Sequence, residues 1–202
     1  MKVPGFLSAL LIIGELLLIM VSWLLAATMG DSVRSLLSGE GIRWLLGSFV
    51  DTVQTPLLVW LLLLAMAYGC LKGSGCLGRR PSLFTRQSSS PLRGALLLLL
   101  LFVVVVVILV AAPSGVLLSA TGRLWPSPLS SALLPLLALA TIVFATAYGI
   151  LSRTFTSFSA IIESLANGVA LAAPLFVVYV LFVQFIASLS FVFAGTGLSV
   201  FR

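Results

Sequence analysis

Glu15 is the residue of this chain with the widest choice of chemistry. It stands in the run SALLIIGELLLIMVSWLL, with no other charged residue between Lys2 and Asp31. At 1.5 Å per residue it lies roughly 15 Å into a helix that starts near Gly5, close to the middle of a hydrocarbon layer about 30 Å thick. A charge at that depth costs at least about 2.5–3.5 kcal/mol on insertion scales, so an intramembrane carboxyl is a functional candidate by default. One reading is a proton or cation site. The other is a glutamate hydrogen-bonded at a helix contact, with Gln184 or a serine as its partner. Glu15 and Gln184 are therefore carried as the candidate substrate- or ion-binding residues.

Little else in the sequence is reactive. Histidine is absent, and the five carboxylates are scattered. No Gly-rich phosphate loop or nucleophile elbow occurs. This points away from an enzyme, and no cofactor is expected. Cys70 and Cys76 are the only cysteines, too few to complete a structural zinc site, which takes four ligands. Both read as packing residues, reduced at the cytoplasmic end of a helix. The net charge of +6 does not imply nucleic acid, because the sequence has no basic face with interleaved aromatics. The basic residues cluster instead at the ends of apolar segments, which is how membrane topology is written.

The elements that must position Glu15 follow from composition. Of the 202 residues, 61% are hydrophobic and 8% charged, and the mean hydropathy is +1.27. Roughly a quarter of an average globular sequence is charged, so hydrocarbon must solvate most of this surface. A bilayer crossing takes about 20 apolar residues. Such runs fall at about 5–28, 56–71, 94–112, 132–151 and 171–194. The first is too long for the apolar core of a secretory signal and is read as a permanent helix. The expectation is an all-α membrane protein, residues 1–202 forming a single integral membrane domain with about five spans. Two further helices are expected. One, within 35–50, is short and re-entrant or interfacial, with Trp44 and Arg43 at headgroup level. The other, 153–168, is an amphipathic surface helix with Phe155, Phe158, Ile161, Ile162 and Leu165 on one side.

Charge orients these spans. Lys72, Arg79, Arg80, Arg86 and Arg93 crowd one loop without an acidic residue, which places that loop inside. With Lys2 and Arg153 on the same side, the N-terminus is cytoplasmic and the C-terminus external, in a bacterial-type inner membrane. Small residues four apart mark contact stripes, Ala65, Gly69 and Gly73 on the second span and Thr141, Ala145 and Gly149 on the fourth. Such stripes let helix backbones approach closely in lipid, within the chain, in a homo-oligomer or against another membrane subunit.

Three stretches resemble the AbgT family, the p-aminobenzoyl-glutamate transporters. SLLSGEGIRWLLGSFVDTVQTPLLVWLLLLAMAYGCLKGSG, residues 35–75, is similar to that family's SLLS-acidic-GIRW segment, its following span and a K-S-G-like end. TGRLWPSPLSSALLPLLALATIVFATAYGI, residues 121–150, resembles its TG-apolar-PSP loop and a helix ending in Y-G-I. FVQFIASLSFVF, residues 182–193, looks like its A-Q-F-I helix. The resemblance implies a transporter-related protein, with one departure. Family members are longer and carry two helical hairpins whose unwound polar tips form the substrate path. One hairpin would follow the second span, where this chain has the basic loop 72–93. The other would follow the fifth, where the sequence reaches Arg202. What matches resembles the part that holds dimers together, and no family substrate residue transfers. The resemblance therefore implies a non-enzymatic scaffold or accessory subunit. The alternative is a small secondary transporter of an organic anion like p-aminobenzoyl-glutamate, with its path at a protomer interface and Glu15 as coupling site.

Overall fold

The computed structural model describes residues 2–29, 33–77, 89–111 and 128–194. Among these residues all regular structure is helical: α1 (Lys2–Met29), α2 (Gly39–Gly47), α3 (Phe49–Val53), α4 (Pro56–Gly73), α5 (Ser89–Ala111), α6 (Pro128–Leu151) and α7 (Phe158–Val192). Five are long and apolar enough to cross a bilayer, over Val3–Thr28, Pro56–Gly73, Pro91–Leu109, Ala132–Leu151 and Phe158–Val192. The protein is thus an all-α, multi-pass membrane protein. Arg79, Arg80 and Arg86 of the basic loop, Arg123, Asp31 and the tail after Ala194 lie outside the described residues.

The expectation of a separate surface helix before the last span needs correction. Residues 158–168 are instead the first turns of α7, a single helix of 35 residues. Gly168 does not end it, because a helical glycine costs only about 1 kcal/mol relative to alanine and this one is packed against α4. The apolar side expected there is also divided. Phe155, Ile161 and Leu165 join a packed cluster with Cys70 and Ala145, whereas Phe158 and Ile162 remain exposed.

The chain divides into two compact units, Met1–Val59 with Ala173–Arg202, and Trp60–Ala172. In unit 1, α1 and the second part of α7 run in the same direction. Gly14 lies against the Phe185 ring, and Leu18 and Ile19 pack on a buried cluster of Val33, Leu36, Phe191 and Val192. The chain then turns back beside α7. The Arg34 N–H donates to the Val192 carbonyl at 3.1 Å, and the Leu36 N–H donates to Ser22 Oγ at 3.2 Å. Ser38 caps α2 by accepting from the Gly41 N–H at 3.0 Å. A serine there satisfies one of the amides that a helix start leaves without an internal partner. Ser48 interrupts the helix between α2 and α3. Thr55 precedes Pro56, a position biased to extended backbone, so α3 cannot run on into α4.

Unit 2 is built on close backbone approach. A Cβ on Gly69 would overlap the Gly168 backbone and the Ser164 carbonyl, and one on Gly168 would overlap the Ala65 carbonyl. Glycine is the residue that lets these two helices touch, and Ser164 Oγ fastens the contact by donating to the Gly69 carbonyl at 3.0 Å. On the other side Ala95 of α5 is buried with Ala147 and Tyr148 of α6. The end of α6 is closed by Arg153 at φ 58, with the Thr154 and Phe155 N–H groups both donating to the Gly149 carbonyl, at 2.9 and 3.0 Å.

Candidate functional site

Four polar side chains of unit 1, Glu15, Ser188, Gln184 and Thr52, are joined in one line. Ser188 Oγ on α7 donates to Glu15 Oε1 on α1 at 2.5 Å. One turn back, Gln184 Nε2 donates to Ser188 Oγ at 3.3 Å, and Gln184 Oε1 lies 3.4 Å from Thr52 Oγ1, whose single proton it shares with the Phe49 carbonyl at 2.7 Å. Further along α7 the Tyr179 hydroxyl donates to the Val53 carbonyl at 2.9 Å and is in hydrogen-bond contact with Thr55 Oγ1. Positions 184 and 188 share a face because helical residues four apart are neighbours.

This line has a structural consequence. The segment after α1 meets α7 first at Val192, then at Gln184, then at Tyr179. That is a descent of about 20 Å at 1.5 Å per residue. Its helix interruptions at Ser48 and Gln54–Thr55 free backbone groups that need partners in a medium without water. The Val53 carbonyl, without the next turn of a helix, accepts from the Thr55 N–H at 2.8 Å and from the Tyr179 hydroxyl. Glu15 itself is half-buried, and its Oε2 is buried with no hydrogen-bond partner among the described residues.

The structure brings together Glu15 and Gln184 through a residue that sequence reading did not single out, Ser188. Thr52, Tyr179 and Thr55 were also missed. The available signal was a polar pair four apart, Gln184 and Ser188, on one face of an otherwise apolar helix. The interfacial candidates part company. Trp44 stacks on Phe191 with ring centroids 4.5 Å apart, so its ring is spent on packing, while Arg43 is exposed. The guanidinium over Phe191 belongs to Arg34, 5.8 Å from the ring and ion-paired to Glu40 at 3.4 Å.

Of the stripe residues, Ala65 and Gly69 are buried against the first part of α7, and Gly73 meets Ser164 and Phe155. Ala145 is buried in the cluster around Cys70, and Gly149 lies under Phe155. Thr141 is only half-buried and donates to the Leu137 carbonyl of its own helix at 2.8 Å. The thiols Cys70 and Cys76 are free, Cys70 being fully buried. No group of three or more His, Cys, Asp or Glu residues able to hold a metal occurs among the described residues.

Fold and site together define a helical multi-pass membrane protein with a hydrogen-bonded polar line between two spans and a broken segment. Residues 78–201 match the AbgT putative transporter family, and the chain belongs to that family. The match takes in two of the stretches that carried the resemblance, 121–150 and 182–193. The stretch 35–75, which forms α2, α3 and α4, lies outside it. No curated protein and no solved structure matches the chain.

Proposed function

We propose that this AbgT-family protein is a non-enzymatic scaffold or accessory subunit of a membrane transport assembly, resident in a bacterial-type inner membrane. The observation that carries this reading is the polar line Thr52–Gln184–Ser188–Glu15, which links the broken segment, α7 and α1 side chain to side chain. These groups spend their hydrogen bonds on tying the broken segment to α1 and α7. The charge distribution supports a cytoplasmic N-terminus and an external C-terminus. Large apolar side chains of α1 and α5 such as Phe6, Met20, Leu97 and Ile108 are exposed, leaving lipid, a second copy or another subunit to cover them. Purification in mild detergent tests the proposal. A stoichiometric membrane partner or a defined homo-oligomer is expected, and Glu15→Gln should leave that assembly intact.

A second reading has its own observation. Glu15 Oε2 is buried without a hydrogen-bond partner among the described residues, and its polar line leads through Ser188 and Gln184 to a segment interrupted in the way from which transporter sites are made. In this reading the protein carries an organic anion resembling p-aminobenzoyl-glutamate, with Glu15 as coupling residue. Proteoliposome uptake by the purified chain that is lost in Glu15→Gln would replace the scaffold proposal with this one.

A further inference from the structure

The charge of this protein is unevenly shared. Residues 1–59 and 173–202 contain four basic and four acidic side chains, whereas residues 60–172 contain seven basic side chains and a single acid, Glu163. Unit 2 therefore accounts for the whole net charge of +6. Its described cations are Lys72, Arg93 and Arg153, and packing gathers all three at one end. Lys72 lies in the last turn of α4 beside Gly73, which abuts Ser164 and Phe155. Arg93 precedes Gly94, which abuts Leu151 at the end of α6. Arg153 sits between Leu151 and Phe155, two residues from each. Cys76, just beyond α4, packs on Ala95, Ala147 and Tyr148 at this same end.

The three cations are exposed, and none has a side-chain hydrogen bond or ion pair among the described residues. Arg153 is held on a fixed left-handed residue by the two amides that close onto Gly149. Within five residues of one or another of these cations along the chain stand the exposed apolar side chains Leu77, Leu92, Leu151 and Phe158. An RNA or an acidic soluble protein would meet cations in polar surroundings. Cations interleaved with bare apolar side chains, at the ends of apolar helices, match the boundary between headgroups and acyl chains.

We infer that this end of unit 2 binds anionic phospholipid. Lys72, Arg93 and Arg153 hold headgroup phosphate, and Leu92, Leu151 and Phe158 rest among the upper acyl carbons. Glu163, exposed on the second turn of α7, is the one opposing charge. The inference stands apart from the scaffold proposal, since it requires only a membrane.

Native mass spectrometry of the detergent-purified protein, offered phosphatidylglycerol and phosphatidylcholine in equal amounts, tests it. The wild type is expected to retain phosphatidylglycerol selectively, and added salt should release it. Each cation near an anionic surface contributes ~1 kcal/mol, about fivefold in affinity. Lys72→Gln/Arg93→Gln/Arg153→Asn should then bind on the order of a hundredfold more weakly, asparagine being chosen because it tolerates positive φ. Glu163→Gln should bind more tightly, and Arg34→Gln in unit 1 should not differ from wild type. Equal retention of phosphatidylcholine, retention insensitive to salt, or undiminished phosphatidylglycerol binding by the triple variant would each overturn the inference. The salt response of the wild type decides the matter even if the triple variant does not fold.

Discussion

The two units of this protein solve the same problem with different chemistry. Between apolar helices in lipid there is no hydrophobic driving force, so contacts depend on close packing and on hydrogen bonds. Unit 2 relies on packing, with Gly69 and Gly168 so close that neither tolerates a Cβ, and with one hydrogen bond, from Ser164, across the contact. Unit 1 relies on polar groups. Glu15, Ser188, Gln184 and Thr52 form a continuous line, and Tyr179 holds the Val53 carbonyl at the end of α3. The difference follows from what is being joined. Two regular helices present smooth backbones that small residues bring together. A segment broken at Ser48 and Gln54 presents unpaired backbone groups, and those require polar partners.

Substitutions can break each unit by its own mechanism. Gly168→Leu should have the largest effect. Its side chain would meet the Ala65 carbonyl and the Gly69 backbone rather than a flexible side chain. The loss should exceed the ~1–3 kcal/mol usual for overpacking, read as disappearance of a monodisperse species in detergent chromatography. Ser188→Ala is expected next. It removes the donor to Glu15, and leaving a buried acceptor unsatisfied costs about 1–3 kcal/mol. A double-mutant cycle with Glu15→Gln in denaturant unfolding should return a coupling of ~0.6 kcal/mol, up to about 1.7. A coupling of zero would deny that the polar line joins the helices of unit 1.

Tyr179→Phe sharpens the same point. It deletes the hydroxyl bonded to the Val53 carbonyl, for about 0.5–1.5 kcal/mol of stability. It should also raise hydrogen exchange locally in residues 49–55. Ser164→Ala should have the smallest effect, ~0.6 kcal/mol or less, because the glycine contact survives without the serine. If Ser164→Ala proved as costly as Ser188→Ala, the contrast between a packed unit and a hydrogen-bonded unit would fail.

Several of these features could be read from residue types alone. Apolar runs of bilayer length define helices wherever they occur, because only a helix satisfies its own backbone in hydrocarbon. The five long helices and the interruption before Pro56 therefore follow from local composition. The same locality marked Glu15 as exceptional and Ala65, Gly69 and Gly149 as small residues on one side of a helix. It misjudged residues 153–168, where an amphipathic pattern suggested a helix on the surface and α7 begins instead. Amphipathicity records which side is apolar, not what covers it, and here Cys70 of α4 and Ala145 of α6 pack against Phe155, Ile161 and Leu165.

A serine partner for Glu15 was within reach of the sequence, but which serine was not, for a related reason. Ser188 is 173 residues away, and a serine in an apolar helix most often bonds its own backbone, as Ser190 does to the Ile186 carbonyl. Only the side-by-side course of α1 and α7 turns Ser188 toward the carboxyl. Likewise the spacing of Lys72, Arg93 and Arg153 says nothing of their meeting until the end of α4, the start of α5 and the end of α6 come together in unit 2. Element identity is set by local backbone chemistry in lipid, whereas the pairing of polar and charged groups is set by which helix faces approach one another.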